Sequence, residues 1–329
     1  MVTGTASLTS SVRTIEVGSH VVAVHFVRES AVIATGEGEI LIADDSEARI
    51  KVHSGAILTA VGDGLRIFTA GDDGKLFATD IEGKREIIAD SGGKWIDQVA
   101  LGPSGAVAWS AGKMAVVHAN KGERKMEFSS TVGGLAFAPK GLRLAVAHYG
   151  GVSLWFPNTN AKPELLSWKG SHLGVIFSPD GRFLVTTTQE PALHGWRLSD
   201  GQDMRMSGYP SRVRSFGFTA DEKWLATSGA QEVVLWPFST RDGPMGKQPL
   251  MLAPGPKDTR VASVACHPTQ EALAAGYSDG MVMLVRLADG AEILVRRPSG
   301  APVTALSWRS DGKLLAFGTE DGNAGLLPL

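Results

Sequence analysis

The chain of 329 residues has one cysteine, Cys266, only three tyrosines, and no apolar run near the roughly 18 residues that a membrane helix needs. A single thiol excludes an intramolecular disulfide and any zinc site built from cysteines, and it suits a reducing compartment. An excess of one charge is also missing. The 32 Lys and Arg against 34 Asp and Glu leave a formal net charge of −2, which argues against a dedicated nucleic-acid binder and against a polybasic membrane anchor. The stretch from Met1 to His20 is small and polar, without the charged and apolar regions of a secretory signal, so a cytoplasmic location is expected. Helical periodicity is lacking too, with no convincing amphipathic stretch of about 12 residues.

What the chain has in quantity is glycine, 40 residues spread evenly, together with an internal repeat. Eight apolar anchors, Phe26, Val61, Leu101, Phe137, Phe177, Phe218, Cys266 and Trp308, recur at spacings of 35, 40, 36, 40, 41, 48 and 42 residues. An apolar or Thr residue stands two positions before each anchor, which is the period of a strand. Seven and eight positions after the anchors come pairs such as Ile33-Ala34, Leu184-Val185, Leu273-Ala274 and Leu315-Ala316, with no gap in any copy. Between the two lies a tight turn, clearest as Ser178-Pro179-Asp180-Gly181, where Pro and Asp open the reversal and Gly supplies positive φ. A third strand ending in Trp155, Trp196 or Trp236 and a more polar fourth strand follow, so each copy reads as a four-stranded antiparallel meander.

This pattern resembles the WD40-repeat β-propellers, whose blade reads roughly V-x-x-V-x-F-S-P-D-G, then L-A-T-G, then L-W-D. The resemblance runs from about Val12 to Leu329 and implies an all-β, single-domain propeller over 1–329. Eight blades are expected, at about 20–53, 54–90, 94–128, 131–168, 171–206, 211–252, 259–297 and 301–329, with seven as the alternative and 94–128 the least regular copy. The segment 12–17 is expected to close the last blade, which has room for only three strands. Two signatures are missing. No copy carries the Gly-His pair at its usual place, and no Trp-Asp follows a third strand, so the hydrogen-bonded His, Ser/Thr, Trp and Asp tetrad of the family is expected to be absent. Trp155, Trp196 and Trp236 are expected to pack between blades.

The resemblance also implies a binding face, formed by the loops before the first strands and between the second and third strands. Those positions hold Trp95, Asp97, Tyr149, His172, Arg212, Arg214, Arg260, Tyr277 and His20, with acids at Glu37, Asp72, Asp73, Glu190 and Glu320. Trp, Tyr and Arg combine large contact area with directional polar groups and dominate binding hot spots. Residues 29–90 hold 13 acids and six bases while 205–260 hold eight bases and five acids, a polarity that can orient a partner. The Pro-rich insertion 239–256 should leave the sheet around one short strand and is a natural place for specificity.

Motifs for chemistry are scarce. No Walker-type loop and no H-E-x-x-H are present, and glycine-rich pieces such as Gly62-Asp63-Gly64 lack the helix that phosphate binding requires. The expected function is a non-catalytic scaffold that binds protein or peptide partners on the loop face, a monomer on its own, with no cofactor, no metal, no nucleic acid and no membrane among its expected ligands. The alternative is a propeller that holds a small ligand or metal in its central channel and acts on it. His20, Asp97, His172 and Glu190 are the candidates for that role, and their convergence on one point is its test.

Overall fold

The computed structural model describes residues 6–44 and 47–329; Met1–Thr5 of the polar N-terminal stretch, and Asp45 and Ser46 of the acid-rich one, lie outside the described residues. The chain divides into two compact units, one made of the residues up to Lys51 together with Arg214–Leu329, the other of Val52–Val213.

In the first unit, four meanders follow the expected copies. Val21–Val27, Ser30–Thr35, Glu39–Ala43 and Glu47–Lys51 form one sheet, and Phe216–Phe218, Trp224–Thr227, Val233–Pro237 and Leu250–Leu252 form another. Val261–Cys266, Ala272–Tyr277, Val282–Arg286 and Glu292–Arg296 form the third. The last copy, Val303–Trp308, Leu314–Thr319 and Asn323–Pro328, takes its fourth strand from Arg13–Glu16, paired antiparallel from Arg13 opposite Leu326 to Glu16 opposite Asn323. One strand was not foreseen: Ala6–Ser7 adds to the edge of Glu292–Arg296 in parallel.

The burial of these strands explains the sequence pattern. Second strands such as Ser30–Thr35 are buried at nearly every position, because both of their faces are covered, and so they read as unbroken apolar runs. Fourth strands such as Glu47–Lys51 are mostly exposed and carry the charge. Gly276 and Gly318 each stand two residues beyond a Leu-Ala pair. A Cβ on Gly276 would lie 2.4 Å from Val303 Cγ1, and one on Gly318 2.3 Å from Val21 Cγ1. Glycine is thus required there for close approach of adjacent sheets, not for a positive φ.

The second unit starts with Ile57–Gly62, Arg66–Gly71, Lys75–Asp80 and Arg85–Asp90, followed by Val99–Leu101, Val107–Ala111, Met114–Ala119 and Gly122–Glu127. The least regular copy is therefore a complete four-stranded sheet. The next two copies are not separate. Leu144–Trp155 spans the second and third strands of one copy, and Glu164–Phe177 runs from the fourth strand of that copy into the first strand of the next. Together with Gly134–Phe137, Phe183–Thr188, Leu193–Arg197 and Asp203–Met206 they make one six-stranded sheet. The expected eight blades are corrected by this: the described strands form seven continuous sheets, the alternative count. The physical reason is that Glu164–Phe177 stays extended through Gly170 and pairs with both copies in turn, Ser171 opposite Tyr149 and His172 opposite Thr188. Trp155 packs in a cluster with Ala108, Val117 and Phe128 of the preceding copy, and Trp196 with Ala145, Val152 and Leu154 of the copy before it.

A second correction concerns the tetrad. His53, just before Ile57–Gly62, places Nδ1 2.9 Å from the Asp73 carboxylate and Nε2 3.0 Å from Thr69 Oγ1. Asp73 also accepts from the backbone N–H groups of Ser54 and Lys75 at 3.1 Å. Burial pushes the Asp73 carboxyl up, but the hydrogen bond from His53 and those from the backbone outweigh it and hold the acid below its usual range. Three of the four tetrad members are therefore present in this copy, with Phe77 edge-on to the imidazole at 4.9 Å and no tryptophan completing the set.

Candidate partner-binding cleft

The second unit carries a cleft of about 230 Å³ in its six-stranded sheet. One wall is the stretch Trp168–Ser171, where Glu164–Phe177 passes from one copy to the next; the other is the turn Thr188–Ala192 with Leu193, His194 and Arg205. The indole of Trp168 stacks on the His194 imidazole, with centroids 4.0 Å apart at 17°. His194 in turn meets Trp196 edge-on at 4.7 Å and His172 at 6.2 Å.

The two histidines are structural. His172 is 1% exposed, with Nδ1 2.8 Å from Thr186 Oγ1 and Nε2 3.2 Å from the Trp168 carbonyl. His194 is equally buried, and neither ring nitrogen has a hydrogen-bond partner among the described residues; its Nε2 stands 3.7 Å from the Asp203 carboxylate. Burial, then His172 and Arg205 nearby, push His194 down to about 3, so it is neutral at physiological pH. Burial also lowers His172, against the opposing hydrogen bond to Trp168.

The rim is polar and open. Arg205 reaches Glu190 at 3.4 Å along the second wall, and Arg212 donates from Nη1 to Gln189 Oε1 at 2.9 Å. Tyr149 is 64% exposed and its backbone pairs with Ser171, which places it beside the same rim. An aromatic floor with fixed geometry and a rim of Arg, Gln, Glu and Tyr can seat a side chain of a partner and hydrogen-bond its surroundings.

The predicted residues are therefore brought together only in part. Glu190 lines the cleft, Arg212 is hydrogen-bonded to the lining residue Gln189, Tyr149 pairs through its backbone with the lining residue Ser171, and the buried His172 stands beside the lining His194. Trp95 and Asp97 sit elsewhere in this unit, in the loop before Val99–Leu101: Trp95 is 63% exposed, while Asp97 accepts from Ser110 Oγ at 2.7 Å. His20, Arg214, Arg260 and Tyr277 belong to the first unit. The first three are exposed, and the backbone of Arg260 is held by Ser278. Tyr277 is corrected outright. It is fully buried and donates its hydroxyl to the Ala253 carbonyl at 2.6 Å, under the end of the Pro-rich insertion. A Cβ on Gly255 would lie 2.8 Å from the Tyr277 ring, so this end of the insertion packs as a cover. His172 leaves the contact set for the same reason, burial.

Sequence reasoning missed Trp168, Lys169 and Gln189. The available signal was Trp168 itself, a tryptophan in a fourth strand where no other described copy carries one. No group of three His, Cys, Asp or Glu side chains among the described residues is placed to hold a metal ion. Burial and the nearby Asp221 push the Cys266 thiol up to about 12, far from a reactive thiolate. No helix among the described residues is long and apolar enough to cross a membrane.

No protein-family model matches the chain. Among solved structures it is similar to the computationally designed Ika8 protein, with a TM-score of 0.77 and 17% identity over 95% of this chain and 98% of that one. The meanders and this likeness define the class: an all-β β-propeller. In sequence the chain is 29% identical over 127 residues to the serine-threonine kinase receptor-associated protein of Dictyostelium discoideum, covering 39% of this chain and 40% of that protein. It is 26% identical over 197 residues, 57% of this chain, to WD repeat-containing protein 55 of Rattus norvegicus and of Mus musculus, covering 50% and 49% of those proteins. The chain spans half or less of the length of these relatives. These likenesses and the propeller fold are consistent with a divergent relative of the WD repeat proteins.

Proposed function

We propose that the protein is a non-catalytic scaffold that binds protein or peptide partners, with the Trp168 cleft and its Tyr149, Glu190, Arg205 and Arg212 rim as a principal contact surface. The observation that carries this reading is the convergence of aromatic and arginine side chains on one cleft whose floor is fixed by stacking. WD-repeat relatives and the propeller fold support an interaction role in general. The same reading has the protein act as a monomer in the cytoplasm, without cofactor, metal, nucleic acid or membrane.

Affinity capture from native extract tests it, comparing wild type with Tyr149→Ala/Arg205→Glu and with Trp95→Ala, each checked by circular dichroism. A stoichiometric protein retained by wild type and by Trp95→Ala but lost by the cleft variant is the expected result. Retention by the cleft variant and loss by Trp95→Ala would move the interface to the loop before Val99, and retention by all three would remove both.

A further inference from the structure

The first unit has a groove of about 840 Å³ that the proposed function does not use. Its apolar lining comes from Ala272, Leu284, Ile293, Trp308 and Leu329. The Trp308 ring is fixed in place, because its Nε1 donates to the Ala265 carbonyl at 3.0 Å and His267 packs against it at 4.7 Å. Most charged groups in the lining are already paired. Arg286 forks onto Asp289 at 2.9 and 2.6 Å, Asp311 is held by Arg309 at 2.7 Å, and Glu271 faces Lys223 at 3.8 Å. Lys313 is exposed on the far turn, next to Asp311.

Glu292 differs from the other acids. It lies on the strand Glu292–Arg296 next to Ile293, is half-buried, and has neither a cation nor a hydrogen-bond donor among the described residues. Burial raises its carboxyl above the ordinary range, as expected for a carboxylate that has lost water and gained nothing. A half-buried carboxylate without a partner on the wall of a roomy apolar groove is complementary to a cation carried on an apolar body. Of the two biological cations, a guanidinium also stacks on an aromatic face and can take a carboxylate with two parallel hydrogen bonds. Lysine offers only a strongly hydrated point charge.

We infer that this groove is a docking site for a partner segment in which an arginine is flanked by apolar residues, the guanidinium pairing with Glu292 and the flanking side chains lying along Leu284, Ile293 and Trp308. It is a second interaction surface, on different strands and in a different unit from the Trp168 cleft, and stands or falls independently of it.

The test uses a fluorescein-labelled heptapeptide with arginine at its centre and leucine and alanine around it, read by fluorescence anisotropy. A second peptide carries citrulline, which keeps the shape of arginine but not its charge. Wild type is expected to bind the arginine peptide saturably and at least tenfold more tightly than the citrulline peptide. Glu292→Gln, close to isosteric, should erase that preference while still binding the citrulline peptide as wild type does. Glu271→Gln should keep it. Three results overturn the inference: no saturable binding of the arginine peptide at millimolar protein, equal binding of both peptides to wild type, or a preference that survives in Glu292→Gln.

Discussion

Substituting Gly318 by alanine introduces a single methyl group where the structure has no room for one. The new Cβ would lie 2.3 Å from Val21 Cγ1 and 2.7 Å from Val21 Cβ, against about 3.5–4.0 Å for an ordinary carbon contact. Val21 is itself fully buried and begins the strand Val21–Val27, and its carbonyl accepts from Thr304 Oγ1 at 2.6 Å, so neither side can yield cheaply. Overpacking of this kind costs about 1–3 kcal/mol. Val21→Ala removes two buried methyls, at about 0.8 kcal/mol each before any cavity contribution, or about 2 kcal/mol in all. The two changes share one space, so in the double variant the methyl added at position 318 partly refills what Val21 vacated. The double variant should be more stable than the sum of the singles predicts by about 1 kcal/mol or more, with relief incomplete because the Val21 Cβ remains. Urea unfolding of the four proteins of this cycle measures both quantities. A Gly318→Ala variant within 0.5 kcal/mol of wild type, on the scale of about ±0.5 expected for neutral substitutions, or strict additivity, refutes the claim that glycine is there to let the sheets approach.

Two further outcomes follow from local structure. The unfolded chain protonates His194 near the ordinary histidine value of 6.5, whereas the folded protein refuses that proton until about 3, so stability falls as pH drops through this window. Between pH 7.5 and 5.5 this one group removes about 1.4 kcal/mol, so the unfolding free energy of wild type from urea curves, taken relative to His194→Leu at the same pH, should fall by that amount. Glu222 has a φ of +61°, in a turn where the equivalent Gly181 and Gly312 have +76° and +73°. Glu222→Gly should therefore raise the unfolding free energy by about 1 kcal/mol, and a destabilised variant would show that the glutamate side chain has a role its backbone does not reveal.

The strands were legible because burial on both faces leaves a mark in composition: Val32-Ile33-Ala34 and Leu184-Val185 admit no polar residue. Turns were legible where Asp and Gly do the bending, as at Asp180, whose carboxylate accepts from Ser178 Oγ at 2.6 Å and from the Arg182 N–H at 2.9 Å. Sheet count was not, because merging two copies depends on whether hydrogen bonding continues from Trp168 to His172, and composition does not record continuity. Loop-position residues divided for a similar reason. Tyr149 and Trp95 point outward and Tyr277 and His172 inward, yet all four have the residue types of a contact surface. What buries Tyr277 is Ala253 to Gly255, more than 20 residues away in sequence by the 24-residue separation of its hydrogen bond. The His53 set escaped notice because it lacks the glycine before the histidine and the tryptophan after it, while the contacts themselves need only His53, Thr69 and Asp73.

The strand Arg13–Glu16 leaves the ribosome long before its partner Asn323–Pro328, which begins 307 residues after Glu16 by the register of their pairing. At ribosomal speeds of about 5–20 residues per second, it waits on the order of 15–60 seconds without a sheet to join. During that time Ile15, which is 2% exposed in the folded protein, has no cover, and its exposed neighbours Arg13 and Glu16 are the charges that discourage pairing with a neighbouring nascent chain. Any transcript truncated before Asn323 yields a chain in which that wait never ends.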